Sequence, residues 1–358
     1  MAIALTWRLL RRATGLLVVL LAVVMGVTPM GCYISRAAYE EARILSRRQP
    51  IARLAADTSA NAKTDAATRA KLGLVVAARR FAVDSLGLNA GRSFTTYSRL
   101  DRDTLVLVLS AAYRDRLERK TWWFPVVGRF PYKGFFDFEE AQRTAVAMRK
   151  DGFDVTLGAS SAFSTLGWFN DPLVSTTIAL DSISLANTII HELLHNTYFA
   201  KGRVPFNESF ASFVGGRGAE HFFRARGDTS SLRRAEEDWQ NDLVLGAFWE
   251  RLAQEIDSVF AALPTDSSAA RIAARDTVYA RGRRRLVDSV APQLKGYPVG
   301  WGERVALNNA VLLSRRVYAE RLDRFDSVYT AGGRDLRRAI ERIVASDRAR
   351  VDSVGKGK

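Results

Sequence analysis

The sequence contains very little cysteine and histidine: one cysteine and three histidines in 358 residues. A single cysteine cannot form a disulfide within the chain, so a disulfide framework is excluded. Multi-cysteine zinc sites and iron–sulfur clusters are excluded as well, because they need several thiolate ligands. Three histidines are too few for a histidine-rich metal cage. Their positions in the chain are therefore informative.

Lysine is also scarce, with nine among the 53 basic residues, so the formal net charge of +15 comes mostly from arginine. An arginine-rich chain can bind nucleic acid or anionic lipid. Here acidic residues are interspersed with the arginines, as at Arg321, Asp323, Arg324 and Asp326, which favours solvated helix surfaces. We expect no nucleic-acid partner. The tightest basic cluster, Arg281, Arg283, Arg284 and Arg285, remains a candidate anion-binding patch.

The first 31 residues have the pattern of an export signal. Arg8, Arg11 and Arg12 precede an apolar run over 15–27, and no acidic residue occurs among them. Thirteen residues are short for a membrane-spanning helix, which needs about 20, but they suit the hydrophobic region of a signal peptide. Cys32 follows Gly31, as at the acylated cysteine of bacterial lipoproteins. We predict lipidation at Cys32, with an uncleaved membrane anchor as the alternative.

Both alternatives tether the remaining chain to a membrane, with the basic end retained inside. The predicted location is the bacterial cell envelope, facing the periplasm. A hydrophobic content of 47% with 25% charged residues is ordinary for a globular protein and excludes disorder or collagen.

The pattern of apolar residues predicts an α+β fold that is mainly α, with a small mixed sheet and a helical C-terminal half. We divide the chain into the signal or anchor (1–31), an N-terminal helical segment (32–90), a core (91–220) and a helical C-terminal part (221–358) that completes the cleft. The predicted strands are 93–98, 104–109, short strands within 122–136, and one from 154. The predicted helices are 33–85 with a connection near 58–62, then 138–149, 186–200, 207–217, 231–262, 266–290, 303–329 and 334–348.

The clearest chemical motif is His191-Glu192-Leu193-Leu194-His195, which contains two of the three histidines. In a helix, His191 and His195 lie one turn apart on the same face. Two such imidazoles can bind one tetrahedral Zn²⁺. Glu192, about 100° around the helix, can then act as general base on the metal-bound water. The motif predicts one zinc ion and a catalytic Glu192.

A catalytic zinc usually needs a third protein ligand. Lys201 stands where a metzincin would have its third histidine, so that class is excluded. Glu208, which opens a second helix after a short turn, is the preferred ligand, and His221 or Glu220 are the alternatives. Ser212 stands four residues after Glu208, where many such enzymes have an aspartate that supports a zinc-bound histidine.

Further blocks of sequence carry a family resemblance. These are residues 31–33, 93–101, 124–128, 131–137, 164–169, 171–173, 191–199, 207–213 and 307–310. Together they resemble a bacterial family of predicted zinc-dependent aminopeptidases, whose members are membrane-tethered or lipoprotein-like. The resemblance implies a zincin-like metallopeptidase with a peptide substrate.

In such peptidases the segment before the metal helix often binds the substrate backbone. The resemblance therefore implies substrate contact for a group of residues here, namely Ser164, Thr165, Gly167, Trp168 and Asp171. Asp171 is also the candidate for holding the free amine of the substrate. A tyrosine or histidine normally stabilises the oxyanion, and Tyr318, Tyr198 and His221 are candidates, with Tyr318 chosen. The alternatives to an aminopeptidase are an endopeptidase acting on envelope proteins and a non-catalytic zinc scaffold tethered to the membrane.

Overall fold

The computed structural model describes residues 29–59, 64–104, 106–124, 128–160 and 172–355. The described part is mainly helical, with small sheets, as the sequence predicts. Its α-helices are α1 (Pro29–Ser46), α2 (Ile51–Ala56), α3 (Ala66–Asp84), α4 (Phe138–Lys150), α5 (Ser175–Ile178), α6 (Ser182–Thr197), α7 (Val204–Ala225), α8 (Thr229–Ala261), α9 (Ser268–Arg285), α10 (Trp301–Arg304), α11 (Asn309–Ala319), α12 (Leu322–Ala331) and α13 (Leu336–Gly355). Among the described residues, no helix is both long enough and apolar enough to cross a membrane.

The strands are short. They are β1 (Gln49–Pro50), β2 (Thr96–Ser98), β3 (Val106–Ala112), β4 (Trp122–Phe124), β5 (Gly128–Phe130), β6 (Lys133–Phe135), β7 (Asp154–Ser160) and β8 (Leu173–Val174). In the described part they form two three-stranded sheets, ordered β1-β2-β8 and β6-β3-β7, and a β4-β5 hairpin. Only the first sheet is mixed, because β2 runs antiparallel to β1 and parallel to β8.

The main apolar core lies where α3, α6 and α7 pack together. Along α6, pairs of buried residues recur at helical spacing: Leu185 and Ala186, Ile189 and Ile190, and Leu193 and Leu194. This spacing buries one face of the helix. Phe210, Phe213 and Phe222 of α7 join the same core. Aspartates begin several helices; Asp181, for example, accepts hydrogen bonds from the backbone N–H groups of Ile183 and Ser184 at the start of α6.

The segment predicted as one helix over 303–329 is divided into α10, α11 and α12, so that prediction is wrong. The first break ends at Asn308, whose side chain accepts a hydrogen bond from Val311 N and begins α11. The second break lies at Glu320 and Arg321, and Arg321 has a left-handed backbone with φ of 59°. No glycine or proline marks either break, so the usual sequence signals are missing.

The predicted N-terminal helix over 33–85 also divides, into α1, α2 and α3, and the strand predicted at 93–98 begins only at Thr96. Phe94, inside the predicted strand, has a positive φ of 55° and lies in a turn. The apolar run over 15–27 lies outside the described residues. Cys32 falls within α1, but its side chain lies outside the description, so lipidation stays a prediction.

Asn309 connects the first turn of α11 to the β6-β3-β7 sheet and to α9. It is fully buried, and its backbone N–H donates to Asp154 at 2.8 Å. Its side chain accepts from the Tyr279 hydroxyl at 2.7 Å and donates to Tyr113 O at 2.8 Å. These bonds explain why an asparagine stands here, since each polar atom of the buried side chain has a hydrogen-bond partner.

Replacing Asn309 with alanine should cost about 2–4 kcal/mol of unfolding free energy, because it leaves the Tyr279 hydroxyl and the Tyr113 carbonyl without partners. Asn308→Ala is the matched comparison, because it removes only the helix cap and should cost about 1 kcal/mol. Urea unfolding of the two variants measures both losses. Equal losses would contradict the role given to the buried Asn309 network.

Candidate metal centre

His191, Glu192 and His195 lie at the edge of the buried face of α6. All three are partly buried, while Leu193 and Leu194 between them are fully buried. The two imidazole rings follow each other along the helix, with centroids 5.0 Å apart. The predicted juxtaposition of the two histidines on one helix face is therefore present.

Asn207, the residue directly before Glu208, forms hydrogen bonds across the connection between α6 and α7. Its Oδ1 accepts from Ala200 N at 2.8 Å and its Nδ2 donates to Ala200 O at 2.9 Å. The turn between Ala200 and Asn207 includes Gly202, whose φ of 77° suits glycine. This pair of bonds to the backbone N–H and C=O of one residue, Ala200, brings the first turn of α7, and Glu208 with it, to the end of α6.

Two glycines of α7 allow that helix to pack closely on the metal-motif helix. A Cβ at Gly215 would lie 2.3 Å from Asn187 Oδ1, 2.9 Å from Asn187 O and 3.1 Å from His191 Cβ. A Cβ at Gly218 would lie 2.7 Å from Ile190 Cγ2. These distances are shorter than van der Waals contact, so only glycine fits at this separation of the helices.

Gly215→Ala should therefore push α7 away from α6, costing about 1–3 kcal/mol of stability and weakening metal binding. Gly73→Ala on α3 is the matched control, since nothing lies within 4 Å of the added methyl group. That change should be neutral or stabilise by up to about 1 kcal/mol. Thermal unfolding and metal titration of both variants would check this, and an unchanged Gly215→Ala would contradict the close packing.

Glu208 faces both histidines. Its Oε2 lies 3.4 Å from His191 Nε2, and its Oε1 lies 3.6 Å from His195 Nε2. Both separations exceed the usual N–H···O hydrogen-bond range of about 2.7–3.2 Å. They match the separation of about 3.4 Å that follows for two ligands bound tetrahedrally about 2.0–2.1 Å from one metal ion.

One ligand atom from each of the three residues lies within 4.8 Å of the others, and among the described residues no other group of this kind occurs. Two imidazole nitrogens and a carboxylate oxygen suit a divalent transition metal, including Zn²⁺. The residues present therefore fit a metal ion.

The charge of the site also suits a cation. Burial alone would raise the pKa of Glu208, but the close polar contacts and charges of His191 and His195 outweigh burial and lower the pKa to about 2. Burial lowers the pKa of His195, yet Glu208 and Glu192 raise it overall. Glu208 is thus ionised throughout the neutral range, as a metal ligand must be.

His195 Nδ1 is buried and lacks a hydrogen-bond partner among the described residues. Metal-binding histidines usually donate this N–H to a carboxylate or carbonyl. Ser212 replaces the aspartate expected there, and the structure supplies no substitute within the described ranges. His195 is therefore oriented chiefly by its helix and by Glu208.

Tyr318 lies beside the cluster, with its ring centroid 6.5 Å from that of His191. Burial and the neighbouring Glu208 and Glu192 raise the pKa of Tyr318 to about 12. The side chain is nonetheless 53% exposed, so solvent screens part of this effect. The phenol stays protonated at neutral pH and can donate a hydrogen bond.

Sequence reasoning missed two neighbours of Tyr318 as site residues. Burial, and next the charge of Glu208, raises the pKa of Tyr132. Arg119 donates to Leu313 O on α11, and burial lowers its pKa. Arg119 has no carboxylate partner in the described part of the chain. Tyr132 belongs to a block of the family resemblance, whereas no sequence signal marks Arg119.

The structure separates the other sequence candidates from the cluster. His221 Nε2 lies 2.8 Å from the Tyr329 hydroxyl, and Glu220 pairs with Arg217 at 2.9 Å, both in the second half of α7. The Tyr198 hydroxyl donates to Asp347 at 2.8 Å. The residues predicted to contact the substrate lie outside the described residues, so their role stays a prediction. They are Ser164, Thr165, Gly167, Trp168 and Asp171.

The basic cluster near residue 283 is partly used inside the protein. Arg283 donates to the carbonyl oxygens of Gly302 and Val305, and Arg285 binds Glu255 at 2.8 Å. Arg281 and Arg284 remain exposed. The structure thus gives two of the four arginines a packing role, which weakens the case for an anion-binding patch.

Comparison with known proteins identifies the family. A family model described as "Putative aminopeptidase" matches residues 32–350. The chain belongs to this family. Membership in the Putative aminopeptidase family indicates peptidase activity and a peptide substrate, and the match includes α6, α7 and α11. No curated protein matches the chain, and no solved structure matches it.

Proposed function

We propose that the chain is a zinc-dependent aminopeptidase with a zincin-like catalytic centre. The observation that carries the proposal is the convergence of His191, His195 and Glu208 at distances suited to one tetrahedral ion. These three residues would hold the zinc. When bound, zinc acidifies a water molecule and polarises the scissile carbonyl. The preference for a free N-terminus rests on the description of the family.

Glu192 is the general base in this proposal. It follows His191 directly and is partly buried on α6, about 100° around the helix. Its carboxylate accepts a proton from the attacking water and passes it to the nitrogen of the leaving amine. Tyr318, protonated at neutral pH, donates a hydrogen bond to the oxyanion that develops on the carbonyl oxygen.

Metal analysis and a pair of peptides test the proposal on the purified full chain. We expect about one zinc per chain, hydrolysis of a peptide with a free N-terminus, loss of hydrolysis on chelation and recovery with added zinc. Equal cleavage of the same peptide with an acetylated N-terminus would contradict the aminopeptidase and favour an endopeptidase. Bound zinc without turnover of any peptide in a library would favour a scaffold.

We also propose that the protein is attached to the bacterial envelope through Cys32 and faces the periplasm. This rests on the basic and apolar residues that precede Gly31 and Cys32 in the sequence. Mass spectrometry of the protein from bacterial membranes should find acylated Cys32 as the first residue. Unmodified Cys32 within an intact chain would contradict lipidation.

A further inference from the structure

A cavity of about 690 Å³ lies between the start of α7, α12 and α13. Its apolar lining comes from Pro205, Phe206, Phe325, Val328 and Ile343. The rings of Phe206 and Phe325 pack 5.8 Å apart. The volume falls within the range of about 300–1,000 Å³ that is typical of small-molecule sites.

This cavity is separate from the metal centre. Phe206 precedes Glu208 by two positions, which places the two side chains about 200° apart around α7. Glu208 faces α6 and the histidines, whereas Phe206 faces Phe325 of α12. The cavity is therefore on the other face of α7, and a ligand there would not occupy the metal site.

Three arginines line the cavity without an acidic partner in the described part of the chain: Arg321, Arg324 and Arg342. Arg324 and Arg342 are exposed, so they lie at the mouth and not on the apolar floor. A fourth, Arg203, is neutralised by an ion pair with Asp347, which also accepts from the Tyr198 hydroxyl. In all, five arginines and two acidic residues, Glu320 and Asp347, are among the residues that line the cavity, so its lining carries a net positive charge.

Charge and lining together define the ligand that fits. We propose that the cavity binds an amphiphilic anion, with a phosphate or carboxylate group at Arg321, Arg324 and Arg342 and a hydrocarbon body on the apolar floor. Arginine binds both anions through paired N–H donors, and the phenylalanine rings supply apolar contact area.

Calorimetric titration of the full chain with decyl phosphate, below its micelle concentration, tests the proposal without reference to peptidase activity. We expect saturable binding of one molecule per chain and much weaker binding of inorganic phosphate. Replacing both Arg324 and Arg342 with glutamine should weaken decyl phosphate binding at least about tenfold, because two charge-assisted contacts are lost. Ser346→Trp, at the rim of the cavity, should also weaken it.

Arg338→Gln is the matched control. Arg338 is an exposed arginine on the same helix, α13, but it does not line the cavity. Its replacement should leave decyl phosphate binding unchanged. An equal loss in Arg338→Gln and in the double variant, or no loss in the double variant, would overturn the proposal. So would inorganic phosphate binding as tightly as decyl phosphate.

Vesicles distinguish a lipid from a soluble amphiphile. The wild-type chain can be compared with the double variant on vesicles that contain an acidic phospholipid and on zwitterionic vesicles. If only the acidic vesicles bind the wild-type chain, and the double variant does not bind them, the ligand is a lipid, with its headgroup at the arginines and its acyl chain on the apolar floor. Binding of decyl phosphate without vesicle binding would assign a soluble amphiphile. Vesicle binding without any decyl phosphate binding would show that the vesicles bind through charges on the protein surface and not through the cavity. That result would overturn the proposal.

Discussion

Glu192→Gln should retain the metal and lose about 10²–10⁴-fold in the rate of peptide hydrolysis, the contribution typical of a general base. Glutamine has nearly the same shape as glutamate, but its amide cannot accept the proton of the attacking water. Glu192 is not one of the three ligating residues, so His191, His195 and Glu208 should still bind the ion. Single-turnover hydrolysis and metal analysis on the same preparation measure both effects.

The control for this variant is Glu139→Gln on α4. The side chain of Glu139 is 85% exposed, and within the described part of the chain its one ion pair is with Arg143. Its replacement changes the net charge by the same amount, but it should leave the hydrolysis rate unchanged. If Glu192→Gln hydrolyses peptides as fast as wild type, another group accepts the proton and the proposed mechanism is wrong. If Glu192→Gln loses the metal, its effect is on binding and not on proton transfer.

Within the metal centre, the sequence best predicts the relative positions of residues that are close together in the chain. His191 and His195 are one helical turn apart, so their relative position follows from helix geometry once α6 is recognised. The apolar residues that bury α6 recur at a helical period, which makes the helix itself predictable. The structure also gives a reason for the residue that precedes Glu208, since Asn207 binds both the backbone N–H and the backbone C=O of Ala200.

Long-range contacts limit what the sequence predicts. Arg119 and Tyr132 lie far from residue 191 in the chain and reach the centre only through tertiary structure. The broken helix over 303–329 has the same origin, because its pieces are held by distant groups: Asp154 binds Asn309, and Ser209 accepts from Glu320 N. Neither contact leaves a glycine or proline in the sequence to mark a break.

The same limit applies to the small sheets and to the arginine-lined cavity. Short strands such as β1 and β8, of two residues each, have no periodicity to recognise. The mouth of the cavity is built from α12 and α13, whose arginines look in the sequence like ordinary surface residues. Only the packing of these helices against the start of α7 shows which arginines share one opening.

Glu208→Ala should reduce zinc affinity by more than about 100-fold, since even residues that merely support a ligand contribute 10–100-fold. Two imidazoles would remain, too few for a catalytic site with three protein ligands. In wild type, zinc at 100 times its dissociation constant should raise the free energy of unfolding by about 2.7 kcal/mol, and the variant should lose this increment. Thermal unfolding with and without zinc measures it directly.

His221→Gln provides the comparison that decides between the ligand sets drawn from the sequence. His221 binds the Tyr329 hydroxyl and lies outside the metal cluster, so its replacement should preserve zinc affinity and the zinc-dependent rise in stability. Without zinc, Glu208→Ala should unfold close to wild type, because the contacts of Glu208 with His191 and His195 are its only polar contacts recorded among the described residues. Loss of zinc in His221→Gln with retention in Glu208→Ala would assign the third ligand to His221, and would require α7 to turn its second half toward α6.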